Sequence, residues 1–205
     1  MPLGCISPRR HESMAYPQDL LEFSRQIAEL HPTVAHQPSL RRAVSTAYYA
    51  LFHLLISDAV AHCGDSQFAS ALSRVFEHGA MKSASDSKVS EINGLFDPKP
   101  PAEPTRTIMF HLHNVAETFG QAQNNRLDAD YNLVREWQPG QVSLIVEGVE
   151  AAFKSWEIVR QEQPAKDYLL SMLPTRERKQ SQPPKPGKKP KKPKPRPTLG
   201  SPSQP

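Results

Sequence analysis

The sequence predicts an all-α protein, a four- to five-helix up-and-down bundle with a disordered C-terminal tail. Three observations carry this reading. Apolar residues recur at three- and four-residue spacing over several long segments. No segment sustains the apolar–polar alternation of a strand. After Pro174 the chain is dominated by Pro and Lys, which bury too little surface to build a core. Apolar helical stripes without a sheet must pack on one another, and short connections make sequential helices antiparallel neighbours.

Residues 1–14 read as a flexible arm, with Met14 a cleaner opening than Met1 for the folded domain, 15–173. The first helix presents Leu20, Phe23, Ile27 and Leu30 on one stripe, with Pro17 in its first turn and Pro32 as its stop. The second runs from about Ser39 to His62, with no Gly or Pro before Gly64. Asp65 is a candidate cap for a third, with Phe68, Leu72, Val75 and Phe76 inward. Its end blurs across the Ser- and Lys-rich stretch from Gly79 to Ser90. Asn93 to Pro104 contains four prolines and a glycine and reads as a loop. A fourth helix begins at Pro104 or Thr105, with Ile108, Leu112, Val115, Phe119 and Ala122 inward. It either runs through Arg126 or breaks near Asn124 and Asn125. Pro139 opens a fifth, where proline is pre-organised for the first turn. Val142, Ile145, Val146, Val149, Ala152, Phe153, Trp156 and Val159 form its broad apolar face. Asp167 to Leu173 adds a short turn or helix.

The charge is divided unevenly. Arg176 to Arg196 holds ten Lys and Arg against Glu177, a net of +9, whereas the whole chain is +4 and the remainder therefore −5. A mildly acidic body is unlike a nonspecific phosphate-binding surface. The tail, 174–205, has charge for polyanion contact but no aromatic residue to stack a base, so any contact is weak, sequence-tolerant and salt-dependent. Its other reading is a solubilising extension. Cys5 and Cys63 give neither a disulfide framework nor metal-ligand spacing, and no cofactor is expected. No apolar run follows Arg9 and Arg10, and Ala47 to Ile56 is too short to span a bilayer. A cytoplasmic location is the expectation.

The second helix carries a polar stripe. At about 100° per residue, Arg42, Tyr49 and His53 lie within roughly 20° of one line, flanked by Ser45 and Thr46. Two readings stay open. The polar groups are satisfied within the core, or they line a cleft or dimer seam that receives a ligand.

The run Arg-Arg-Ala-Val-Ser-Thr-Ala-Tyr-Tyr-Ala-Leu-Phe-His, from Arg41 to His53, resembles the second-helix signature of HEPN domains, the nucleotide-binding family of higher eukaryotes and prokaryotes. Further on, Asn125-Arg126-Leu127-Asp128-Ala129-Asp130-Tyr131 is similar to the Arg-x-x-Ala-Asp-Tyr element of one bacterial branch. The resemblance covers roughly residues 38 to 160. It implies a four- or five-helix bundle, often a homodimer. Many members are metal-independent ribonucleases or toxins paired with a nucleotidyltransferase-like antitoxin. Others bind nucleotides or RNA without cleaving. In the nucleases an Arg is followed four to six residues later by a His. The His moves a proton and the Arg stabilises phosphate charge.

This chain has Arg126 but places Tyr131 where that His is expected. A phenol with an ordinary pKa of about 10 is a poor base at neutral pH. Loss of a positioned base typically costs about 10² to 10⁴ in rate. The expectation is therefore a nucleotide- or RNA-binding domain rather than an efficient nuclease. Arg126, Asp130 and His53 are the candidate catalytic residues. Arg42, Ser45, Tyr49 and Tyr131 are the candidate ligand contacts. Asp130 pairs with Arg126 one helical turn away. A second Arg–His match, Arg106 to His111, lies some twenty residues too early, and its spacing separates the side chains by roughly 140°. His111 is kept as an alternative proton carrier. His113 makes only a weak metal claim. Alternatives to binding are a ribonuclease toxin and a purely structural, partner-binding bundle.

Overall fold

The computed structural model describes residues 9–30, 35–62, 71 and 74–174, with side chains described from residue 15 onward. Among these residues it is an all-α bundle with no strand. Five long helices are α1 (Arg9–Glu29), α2 (Gln37–His62), α3 (His78–Phe96), α4 (Thr105–Tyr131) and α5 (Pro139–Val159); a short α6 (Gln163–Ser171) follows.

α2 is the central element, packed against α1, α4, α5 and α6. Its buried positions run almost all the way round, from Leu40 through Ala43, Ala47, Leu51, Leu54 and Leu55. The alanines let neighbouring helices approach closely. By length and composition α2 could cross a membrane, but 78% of that window is buried inside the bundle, as in a core helix.

α4 and α5 follow the sequence pattern. Leu112, Val115, Phe119 and Ala122 are buried, and α4 continues without a break through Asn124 and Asn125. On α5, Val142, Val146, Val149, Ala152, Phe153, Trp156 and Val159 are buried, with Ile145 partly so, and Pro139 stands in its first turn. The short helix α6 begins four residues before Asp167 and closes the bundle with Ala165, Tyr168 and Leu169.

α1 departs from expectation in two ways. It extends back to Arg9, through residues assigned to an arm, so Pro17 lies inside it and not in its first turn. Its inward face is Leu21, Ser24, Ile27 and Ala28; Phe23 (52% exposed) and Leu30 (62% exposed) point outward. The stripe is rotated because buried Ser24 donates to the Ala43 carbonyl of α2 at 2.8 Å, which makes a polar residue a core residue.

α3 is the element the pattern missed. The stretch from Gly79 to Ser90 is helical, with Met81, Ala84, Ser85 and Ile92 buried. Small and hydroxyl side chains suit this site. Ser85 Oγ shares a 2.7 Å hydrogen bond with buried Tyr168 on α6 and donates to the Met81 carbonyl. A Cβ at Gly120 of α4 would lie 3.2 Å from Asp86 Oδ1, so the absence of a side chain there eases the approach of α3. Asp65, Phe68 and Leu72 lie outside the described residues. Of the other two inward candidates, Phe76 is buried but Val75 is 42% exposed. The loop shortens to residues 97–104.

A buried ion pair fixes α2 to α5. Asp58, with no exposed side-chain surface, accepts from Trp156 Nε1 at 2.6 Å and pairs with Arg160. At the opposite end Arg41 donates to the carbonyls of Ala129, Asn132 and Arg135, holding the C-terminus of α4 and the turn after it. Gln37 holds the following residues, donating to the Trp137 carbonyl at 2.8 Å and accepting from its N–H at 3.0 Å.

Candidate functional site

The polar stripe of α2 meets the C-terminal half of α4. Arg126 Nη2 donates to the Tyr49 hydroxyl at 2.8 Å. Arg126 Nε lies 2.8 Å from Asp130 Oδ2, a close ion pair with the N–H not aligned for a hydrogen bond. Ser45, itself buried, donates to the other oxygen of Asp130 at 2.5 Å. Ser45, Asp130, Arg126 and Tyr49 therefore form one chain of polar contacts joining two helices. The Arg126 side chain is 15% exposed and that of Asp130 29% exposed. Burial works against the guanidinium charge, and Tyr49, Asp130 and Tyr131 more than offset this, so its pKa is raised.

Aromatic rings surround this pair. The Arg126 Cζ lies 5.5 Å from the Tyr49 ring centroid and 5.7 Å from that of Tyr131, cation–π distances. Tyr131, which replaces the expected His, is 70% exposed. The His53 ring on the same stripe has its centroid 5.1 Å from that of Tyr16 and 6.4 Å from that of Tyr49.

The residue that the sequence reading missed is His78, the first residue of α3. Its Nδ1 shares a 2.6 Å hydrogen bond with the Tyr48 hydroxyl, and its ring lies 4.5 Å from Phe52 and 6.1 Å from Tyr49. Burial holds the His78 pKa below its ordinary value, with Arg126 adding to the effect. Burial also lowers that of His53, assisted by His78. Both imidazoles are therefore neutral at pH 7. Tyr48 moves the opposite way, because burial strongly disfavours a phenolate, and it stays protonated. No motif could have flagged His78, because its helix was not recognised and its partners come from a distant segment.

The other candidates sit elsewhere. Arg42 is exposed and has no hydrogen bond or ion pair among the described residues; its neighbour Arg41 makes the contacts to the end of α4. Arg106 pairs with Glu103 at 2.7 Å, whereas His111 shares a hydrogen bond with Ser155 of α5 at 3.2 Å, so the two do not converge. His113 contacts Asn93 and Glu117. No group of three or more metal-ligating side chains occurs among the described residues.

Chemically, the cluster combines one fixed cation, two neutral imidazoles and an exposed aromatic ring. Asp130 offsets the charge of Arg126 and orients its guanidinium. Comparisons with protein-family models, with curated proteins and with solved structures found no match to this chain.

Proposed function

We propose that the chain is a HEPN-like nucleotide- or RNA-binding domain that works as a homodimer in the cytoplasm, with Arg126 contacting ligand phosphate. The observation that supports this most is the fixed position of Arg126. Tyr49 and Asp130 hold its guanidinium beside the exposed Tyr131 ring. A pre-oriented cation next to a free aromatic face suits a phosphate with its base stacked alongside. The test is binding of a fluorescent single-stranded oligonucleotide and of ATP to the full chain. Arg126→Lys, which keeps the charge but loses the fork, and Tyr131→Ala should each weaken binding about tenfold. Unchanged affinity in both variants sinks the assignment.

A second reading, a metal-independent ribonuclease toxin with a nucleotidyltransferase-like antitoxin, draws support from the neutral imidazoles of His53 and His78 near Arg126. A neutral imidazole can take a proton from a ribose hydroxyl. His78 joins Arg126, Asp130 and His53 as a candidate in this reading. Incubation with RNA in the presence of EDTA separates the two. Cleavage that His78→Gln or His53→Gln abolishes favours the nuclease; intact RNA with retained binding favours the first reading. Neither binding nor cleavage leaves a structural bundle acting through partners.

A further inference from the structure

On the face built by α1 and α5, a furrow of about 660 Å³ opens between the two helices; buried Leu21 and Phe153 and the exposed Ile158 are its apolar lining, and Arg126 is not part of it. A second hollow of about 230 Å³ continues it toward Glu29 and Glu147, sharing Arg25 and Glu150 with the first. Together they follow α1 from Gln18 to Glu29, roughly 17 Å of helix. Six carboxylates line this path (Asp19, Glu22, Glu29, Glu147, Glu150 and Glu157) against two cations, Arg25 and Lys154. Glu22 and Glu150 are neutralised within the furrow, paired with Arg25 at 3.1 and 2.9 Å and, for Glu150, with Lys154 at 3.0 Å. Asp19, Glu29, Glu147 and Glu157 have no ion pair among the described residues.

We propose that this furrow is a docking site for a Lys/Arg-rich segment of a partner protein. Charge complementarity selects a basic occupant, and the chain's own Lys/Pro tail is the competing outcome of the test below. Nucleic acid and acidic membrane are repelled by the same carboxylates, and a second copy of this face would set acid against acid. The combination of apolar lining and rim fits long basic side chains in particular. Their alkyl stems lie over Leu21, Phe153 and Ile158 while their charged heads reach Asp19 and Glu157 at the edge. Arg25 and Glu150 pair across the middle of the furrow, joining α1 to α5. The site is separate from the ligand reading above and does not depend on it.

The experiment uses fluorescence anisotropy of a labelled ten-residue peptide of alternating Lys and Leu, with an alternating Glu and Leu peptide as control. The full chain should bind the basic peptide with an affinity that falls as salt is raised; any binding of the acidic peptide through the +9 tail should be lost in a chain ending at Pro174. The double variant Asp19→Asn/Glu157→Gln alters two exposed carboxylates and should weaken binding about fivefold, with the thermal midpoint unchanged. The double variant Glu91→Gln/Glu117→Gln removes the same charge from α3 and α4 and should bind like the unaltered chain. Equal loss in both double variants, or no loss in the first, overturns the proposal. The same measurement on a chain ending at Pro174 keeps every buried core residue found among the described residues, the last of them Met172. Peptide binding that appears only in that shortened chain also overturns the assignment to a separate partner.

Discussion

Arg126 of α4 donates a hydrogen bond to the hydroxyl of Tyr49 on α2, 77 residues earlier in the chain. Tyr49→Phe removes the acceptor and leaves the ring. It should destabilise the protein by about 1 to 2 kcal/mol, because Asp130 still pairs with the mostly buried guanidinium. Chemical denaturation measures this. A double-mutant cycle of Ser45→Ala with Asp130→Ala should show coupling of about 1 kcal/mol, since buried Ser45 has Asp130 as its partner. Additive costs would mean that the two groups do not act as a unit.

Asp58 is the position most sensitive to truncation. Asp58→Ala leaves Arg160 and the Trp156 indole N–H without their partner inside the α2–α5 contact. The expected loss is about 3 to 5 kcal/mol by urea or thermal unfolding. Asp58→Asn keeps one acceptor for the indole and should cost less. Equal stability of Asp58→Ala and the unaltered protein would contradict the described burial.

Arg41→Ala should loosen the end of α4 without unfolding the bundle. Three backbone carbonyls lose their donor, two of which belong to α4 or its cap. A loss of about 2 kcal/mol is expected. Amide hydrogen exchange should speed up at residues 128–135 more than in α5. Arg42→Ala, one residue along and exposed, should change neither property.

Acid should weaken the fold through its histidines. In the folded chain, burial lowers the pKa of His53 and His78, so the unfolded chain binds more protons just below the ordinary value of about 6.5. Their contribution is intact above that value and is lost as pH falls from it through the lower folded pKa. The midpoint of unfolding by denaturant, followed from pH 7.5 to 5, should therefore decline. His78→Gln should flatten that decline. An unaltered slope in His53→Gln and His78→Gln together would assign the acid sensitivity to other groups.

The sequence by itself determined the helical class, the central place of α2 and the inward faces of α4 and α5. Those helices have dense stripes of Leu, Val, Ile and aromatic residues, and one periodicity fits them. It also brought Ser45, Tyr49, Arg126 and Asp130 into consideration. The pairing of Arg126 with Asp130 was legible from their spacing of one helical turn. Tertiary structure decided the rest. α3 has a sparse stripe of small and polar residues, whose burial depends on Tyr168 and Gly120 from other helices. α1 turned its face toward Ser24 because the Ala43 carbonyl offers a hydrogen bond there. Arg41 rather than Arg42 reached the end of α4, a difference of one residue, or about 100° around the helix. His78 joined the cluster because packing brought the start of α3 beside Tyr48, a long-range contact that local periodicity does not encode.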